Sequence, residues 1–310
     1  MLREGRLFTE GYGKMKLKAV SGIMLTLLLI GMLTLTFNIQ PVKASGTIYI
    51  RENGSIDPPT ADIISVDNVT YDFTGNIADS IGVERDNIVV NGAGHTLHGT
   101  GSGTGIAVSG RDNVTIKNME ITLFYHGIYL NLSSDYCNIS GNNITNNKKC
   151  ILLNYSSNNA ISGNNIADNQ YGVLLDYSSD NTISGNNITH GMYGIWLRYS
   201  SSFNSISGNS MTNNRYGITL DSASNYNTVS GNSMTNNGYG ITLDSASDNT
   251  ISGNMFVHDG LWVFDSYRNI VEDNIINGKP LVYLEDASNQ VVAEAGQVIL
   301  VNCEYIQVQN

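Results

Sequence analysis

The chain has 310 residues and carries 16 Lys or Arg against 27 Asp or Glu, a formal net charge of −11 at pH 7. An acidic surface repels phosphate backbones, so the composition argues against nucleic acid as a partner. The three cysteines are too few for a disulfide framework, and we expect isolated buried thiols, although export would permit one disulfide. They are Cys137, Cys150 and Cys303.

Residues 1–44 predict a secretory signal peptide. Basic residues precede an apolar run over residues 19–37, and a small-residue cleavage site ends at Ala44. Residues 1–14 fit an upstream extension, with Met15 as an alternative start. We therefore expect an exported protein, in the extracellular space, on the cell surface or in a periplasm-like space. The run is also long enough for an uncleaved membrane anchor, which stays open.

Residues 45–104 predict an N-terminal cap followed by the first coils of a repeat structure. Short apolar stretches at 47–51, 69–71 and 88–90 predict strands, and two prolines interrupt the segment. A solenoid needs its first coil covered, because an open end exposes apolar side chains and strand edges.

Residues 105–276 repeat one pattern, N-x-I-S-G-N-x-I, then a turn and Y-G-I-x-L. The repeat asparagine recurs about every 22 residues, which indicates stacked units that share a core. Its positions are Asn118, Asn142, Asn164, Asn186, Asn209, Asn232, Asn254 and Asn274.

The repeat predicts an all-β fold, a single-stranded right-handed parallel β-helix of about 22 residues per coil. Apolar residues alternate at period two within short patches, and the connecting Asn, Ser, Gly and Asp favour turns. A leucine-rich repeat does not fit, because each unit has too few leucines. We expect inward stacks containing Ile183 and Ile188, an Asn186 ladder, and positive φ at Gly185.

Residues 277–310 predict irregular C-terminal coils, with strands at 281–284 and 298–301. Residues 305–310 repeat the pattern of residues 113–118, as if another coil were beginning. We therefore predict that the chain is truncated, or that another chain or a missing segment covers this end.

The segments N-G-K-P-L-V-Y-L at 277–284 and G-Q-V-I-L-V-N-C at 296–303, together with the repeat, carry a resemblance. The chain resembles NosD-like right-handed parallel β-helix proteins over residues 46–310. The family name implies a periplasmic protein that helps mature the copper site of nitrous oxide reductase. The wider β-helix group implies carbohydrate binding or sugar hydrolysis.

Tyrosines precede the repeat glycine in four successive coils and are the candidate ligand-binding residues. They are Tyr171, Tyr193, Tyr216 and Tyr239, and a second set is Tyr155, Tyr177 and Tyr199. Aromatic rings offer apolar faces that suit stacking on sugars. The alternative is that the tyrosines stack on one another and pack the coil corners.

Asp221, Asp244 and Asp265 follow the second apolar patch of their coils and are the candidate catalytic residues. Stacked coils would place such carboxyls within the separation that glycosidases use. The alternative is that these aspartates cap turns. The chain also lacks the dense Asp, His and Arg set of β-helix pectinases.

The histidines are scattered and no compact metal-ligand cluster emerges, so we predict neither a metal site nor a cofactor. Copper is not expected, and Ca²⁺ on an aspartate file is the more plausible metal. The leading hypothesis is an exported, non-catalytic β-helix that binds a polysaccharide or surface glycan, or has a structural surface role. The alternatives are a polysaccharide-degrading hydrolase or lyase, and an accessory factor in copper-enzyme maturation.

Overall fold

A computed structural model describes residues 46–309 of the chain. The regular secondary structure in this range is all β-strand. The strands wind into a right-handed parallel β-helix with three long sheets, which confirms the predicted fold class.

Each long sheet contains eleven strands. Sheet 1 contains Thr47–Ile50, Ile56–Asp57, Ser80–Val83, Thr104–Ser109, His126–Asn131, Lys149–Asn154, Tyr171–Asp176, Tyr193–Arg198, Tyr216–Asp221, Tyr239–Asp244 and Leu261–Phe264. Sheet 2 contains Ile63–Ile64, Thr70–Phe73, Ile88–Asn91, Val114–Lys117, Asn138–Ser140, Ala160–Ser162, Thr182–Ser184, Ser205–Ser207, Thr228–Ser230, Thr250–Ser252 and Ile270–Glu272. Sheet 3 contains Thr96–His98, Glu120–Thr122, Asn143–Thr145, Asn165–Ala167, Asn187–Thr189, Ser210–Thr212, Ser233–Thr235, Met255–Val257, Ile275–Ile276, Lys279–Glu285 and Gln297–Val301. A separate pair contains Val291–Ala293 and Gln307–Gln309.

The core consists of apolar columns that run along the solenoid axis. Equivalent residues of successive coils pair in register, so each column holds one side chain per coil. The two predicted columns are both buried in the core cluster. The first contains Ile183, Ile206, Val229 and Ile251, and the second contains Ile188, Met211 and Met234. Period-two alternation directs these side chains inward and leaves the intervening polar residues outside.

From Asn142 to Asn274 the repeat asparagines form the predicted ladder at a buried turn. The expectation for Asn118 is wrong, because Asn118 is exposed and Met119 occupies the ladder position, where its backbone N–H donates to Asn142 Oδ1. The side-chain amide of Asn186 donates to Asn209 Oδ1 and to the Ile161 carbonyl, both at 2.9 Å. Its own Oδ1 accepts from the backbone N–H of Asn164 at 3.0 Å. Gly185 has φ of 64°, the left-handed conformation that glycine adopts without strain. The ladder thus satisfies buried polar groups that the turn would otherwise leave unpaired.

Antiparallel pairs occur at both ends of the described solenoid. Ile56–Asp57 pairs with Thr47–Ile50, and Ile63–Ile64 pairs with Thr70–Phe73. Near the other end, Lys279–Glu285 pairs antiparallel with the preceding sheet 3 strand and parallel with Gln297–Val301. The strands predicted at 281–284 and 298–301 are therefore present.

The three cysteines are free thiols in the described structure; the expected burial is found for Cys137 and Cys150, whereas Cys303 is only partly buried. Cys137 and Cys150 are buried, and burial raises the pKa of Cys137 to about 11. Within residues 46–309 no helix is long and apolar enough to cross a membrane. The predicted signal peptide, over residues 1–44, lies outside the described residues.

Candidate functional site

The outer face of sheet 1 carries the predicted row of tyrosines, here called the tyrosine file: Tyr171, Tyr193, Tyr216 and Tyr239. They open four successive strands and pair in register. Neighbouring ring centroids lie 5.7, 4.7 and 5.1 Å apart, with interplanar angles of 9°, 11° and 7°. The rings therefore cover one another's faces, as the alternative interpretation expected. The interior of the file presents ring edges rather than open faces.

The second set of tyrosines lies at the turn that follows sheet 1. Tyr155 and Tyr177 stack with centroids 4.7 Å apart, and Tyr177 and Tyr199 with centroids 5.2 Å apart. All three have positive φ and exposed side chains. The ring faces of these tyrosines are also covered mainly by one another, so tyrosine–tyrosine stacking occurs in both sets.

Trp196 lies beside the tyrosine file and links it to the aspartates. Its ring centroid is 4.3 Å from that of Tyr193, and its indole N–H donates to Asp221 Oδ2 at 2.8 Å. The guanidinium carbon of Arg198 lies 4.6 Å from the Trp196 ring centroid, and Arg198 also forms an ion pair with Asp176. The side chains of Trp196, Arg198 and Asp176 therefore already have partners within the protein.

The register supports two of the three predicted aspartates as neighbours and excludes the third. Asp221 pairs with Asp244, so their side chains occupy equivalent positions in adjacent coils. Asp244 pairs next with Phe264, because Phe264 stands four residues after Gly260 as Asp244 stands four after Gly240. Asp265 has φ of 44° and begins the following turn. The expectation that Asp265 continues the aspartate file is therefore wrong.

Asp221 has the more unusual environment of the two remaining aspartates. Burial raises the pKa of this carboxyl, and the negative charge of Asp244 adds to the increase. Hydrogen bonds from Trp196 and Ser222 act in the opposite direction. Asp221 Oδ1 is buried and has no hydrogen-bond partner in the described chain. Two carboxyls in adjacent coils, one with a raised pKa, have the chemistry of an acid and a base.

Two threonines beneath this face were not anticipated from the sequence. Thr219 and Thr242 follow Trp196 in the same outward row, and Trp262 comes next. Their hydroxyls are buried without a hydrogen-bond partner among residues 46–309. The available signal was the repeated I-T-L-D, where the preceding coil has I-W-L-R.

The tyrosine file ends at a cavity because the next coil is two residues shorter. Three residues separate Asn237 from Ile241, but only Gly260 separates the equivalent Asp259 and Leu261. The shortened coil lacks a tyrosine to follow Tyr239. We call the resulting cavity, of about 460 Å³, the notch. It is lined by Gly238, Tyr239, His258, Asp259, Gly260, Leu261, Trp262, Ile276, Asn277, Gly296 and Gln297.

Asp259 in the notch lining takes the place of an asparagine in a second buried ladder. The backbone N–H and side-chain amide of Asn237 donate to Asp259 Oδ2 at 3.0 and 2.7 Å. Asn237 also donates from Nδ2 to the Met211 carbonyl, a bond that a carboxylate cannot make. Asp259 Oδ1 is buried and unpartnered in the described structure. Burial accordingly raises the pKa of Asp259.

Metal ligands are not grouped in the part of the chain that the structure describes. No three His, Cys, Asp or Glu side chains there are arranged to hold a metal ion. His126 packs between Tyr125 and Tyr129, and burial lowers its pKa to about 4. The expectations about Cu and Ca²⁺ stay predictions.

Several solved structures have a similar backbone. A double mutant of the periplasmic alginate epimerase AlgG aligns with a TM-score of 0.54 at 14% identity, covering 86% of this chain and 84% of that chain. The A-module of Azotobacter vinelandii mannuronan C-5 epimerase AlgE6 gives 0.55 at 17% identity, covering 67% of this chain and 63% of that chain. An exopolygalacturonase from Thermotoga maritima gives 0.53 at 13% identity, covering 64% and 54%. At these identities the likeness shows a shared fold alone.

The curated proteins contain no match to this chain. The profile of a protein family does match, and its description is "Periplasmic copper-binding protein (NosD)". The matched segments are residues 40–189, 84–259 and 173–295, which together span more than half of the chain. The chain therefore belongs to the NosD family.

Proposed function

We propose that this protein is an exported, non-catalytic β-helix that binds glycans on the outer face of sheet 1. The observation that carries the proposal is the notch, where an aromatic ring of the tyrosine file has a face that no parallel ring covers. Tyr239 and Trp262 line this cavity together with polar side chains. Apolar ring faces beside a few polar groups suit a sugar, which has both kinds of surface.

Export is supported by two independent observations. Residues 1–44 have the basic, apolar and small-residue segments of a signal peptide. The description of the matching family includes the word periplasmic. A polysaccharide partner is consistent with the three similar structures named above, which are enzymes whose names refer to alginate, mannuronan and polygalacturonate.

A glycan array tests the binding half of the proposal directly. The full chain should bind at least one class of glycan, and a Trp262→Ala variant should lose most of that binding. A Tyr226→Ala variant is the matched control, because it removes an exposed ring that stacks on Phe203 away from the notch and belongs to neither set of candidate tyrosines. Absence of binding across a broad array would refute glycan recognition.

Asp221 and Asp244 support a second candidate, a polysaccharide-degrading enzyme. Their positions in adjacent coils and the raised pKa of Asp221 provide a proton-holding carboxyl beside a second carboxyl. Reducing-sugar release from a polysaccharide panel, abolished by Asp244→Asn and unaffected by Asp265→Asn, would establish this activity. Equal release by all three proteins would point to a contaminant.

Copper chemistry is the third candidate, and the family description is what favours it. A role in copper-enzyme maturation predicts that the purified protein keeps about one copper per chain after desalting. Loss of all copper in that step would remove this candidate.

A further inference from the structure

The notch is the empty next position of an ordered stack of rings. Tyr239 stacks on Tyr216 on one side, at 5.1 Å between centroids and 7° between planes. On its other side the next ring is Trp262, at 6.2 Å and 68°. A ring that continued the stack would lie parallel to Tyr239 in the space that the shortened coil leaves.

The base of the notch is held in place by the protein itself. The Gln297 side chain accepts from the Leu261 backbone N–H at 3.0 Å and donates to the Leu261 carbonyl at 2.6 Å. A Cβ atom on Gly260 would lie only 2.6 Å from Gln297 Oε1, so glycine permits this close approach. The cavity is therefore bordered by residues that are hydrogen-bonded to one another.

The charges around the notch select against acidic ligands. Of the described residues that line the notch, none is Lys or Arg, and one, Asp259, is acidic. Asp244 ends the strand that Tyr239 begins, which adds a second carboxyl on the same face. A uronic acid would bring its carboxylate towards these groups with no Lys or Arg in the lining to pair with. The basic side chain in the lining is His258, whose Nδ1 lies 2.9 Å from Asn236 Oδ1.

We propose that the notch binds one uncharged pyranose ring of a glycan, stacked on the uncovered face of Tyr239 as the next ring of the file. This inference rests on the proposed function and specifies the kind of sugar and where it binds. A pyranose ring has an apolar face for Tyr239 and hydroxyl groups at its edge for the polar lining. The polar side chains that line the notch are His258, Asp259, Asn277 and Gln297.

Saturation-transfer NMR on the full chain tests the inference with simple probes. The probes are the methyl glycosides of glucose, galactose and mannose, and the methyl glycoside of glucuronic acid. At least one neutral glycoside should receive saturation from the protein, and more strongly than the glucuronoside. A Gly-Tyr insertion after Asp259 restores the spacing of the preceding coil and should place a protein ring in the notch. It should weaken binding of the neutral probe roughly tenfold, as expected for one lost ring contact.

Two further variants keep the test decisive. Trp262→Ala should weaken binding of the same probe even if the insertion does not fold, and Tyr226→Ala should bind it as the unaltered chain does. Preference for the glucuronoside, no signal from any neutral probe, or binding unchanged by both the insertion and Trp262→Ala would overturn the inference. If the insertion and Trp262→Ala both still bound the glycan array, the notch would not be the binding site, and glycan recognition elsewhere on the protein would remain supported. Binding to the notch in NMR without any array binding would support the notch and count against polysaccharide recognition.

Discussion

The coil that contains Tyr239 and the next coil, which contains Asp259 and Trp262, share a core and differ on their outer face. Ile241 and Leu261 pair in register, so the inward columns continue without interruption. The buried ladder also continues, since Asn237 donates to Asp259. Two fewer residues between ladder and strand nonetheless end the tyrosine file and open a cavity. The core and the ladder therefore fix the repeat, while the residues between them determine what the surface can bind.

The largest effect is expected in the regular coils, where the asparagine ladder is complete. Asn209 Nδ2 donates to the Ile183 carbonyl at 2.9 Å and to Asn232 Oδ1 at 3.0 Å, and Asn209 Oδ1 accepts from Asn186. Asn209→Ala leaves several buried polar groups without hydrogen-bond partners, and each such group costs about 1–3 kcal/mol of stability. We expect the free energy of unfolding to fall by about 3 kcal/mol or more, measured by urea titration.

Asn187→Ala is the control for that prediction. Asn187 is exposed, and its side-chain hydrogen bond to Asn165 lies at the surface. Its replacement should change the free energy of unfolding by less than about 1 kcal/mol. Equal losses from the two variants would mean that burial of the ladder is not what makes it stabilising.

An intermediate effect is expected from the tyrosine file. Tyr216 has a parallel ring on each side, whereas Tyr239 has one parallel ring and the angled Trp262. At about 0.5–1.5 kcal/mol for each ring pair, Tyr216→Ala should lower the free energy of unfolding by about 1–3 kcal/mol. Tyr239→Ala should cost less, because it loses one parallel partner. A larger cost at Tyr239 would contradict the view that the stack ends there.

The smallest effect is a gain of stability from Asp259→Asn at neutral pH. An asparagine here can donate to the Met234 carbonyl, since Asn237 donates to the register-equivalent Met211 carbonyl. Restoring that bond and removing a buried carboxylate should raise the free energy of unfolding by about 1–2 kcal/mol.

The same substitution predicts a change in pH dependence. Burial raises the folded-state pKa of Asp259, with hydrogen bonds from Asn237 and the charge of His258 opposing the increase. Its contribution to stability is therefore fully present below the unfolded pKa of aspartate and is lost as pH rises through the raised value. Asp259→Asn should remove this loss, and Asp265→Asn, at an exposed position, should leave it unchanged. Identical pH profiles for Asp259→Asn and the unaltered chain would contradict the assignment.

The repeat made most of the fold predictable from the sequence. Period-two alternation identified the inward columns of Ile183 and Ile188, and the recurring Ser-Gly-Asn identified the ladder at Asn186 and the positive φ at Gly185. These features depend on contacts between identical positions of successive coils, which periodicity alone specifies.

The candidate site was only partly predictable, because it lies where the periodicity fails. Counting from coil to coil placed Asp265 in the aspartate file, whereas the register places Phe264 there. The two-residue segment Asp259-Gly260 stands where the preceding coil has the four residues Asn237-Gly238-Tyr239-Gly240, and no cavity was predicted from this difference. The sequence could not show that the notch stays open. Its base depends on Gln297, which lies 36 residues from Leu261 in the chain and contacts it only in the folded protein.

Binding of the full chain to a glycan array, compared between Tyr239→Ala and Tyr216→Ala, tests the central claim most directly. We expect Tyr239→Ala to abolish recognition and Tyr216→Ala to keep it, despite the larger loss of stability in Tyr216→Ala. The claim that the break in the repeat is the binding site would be contradicted if Tyr239→Ala bound normally, or if only Tyr216→Ala lost binding.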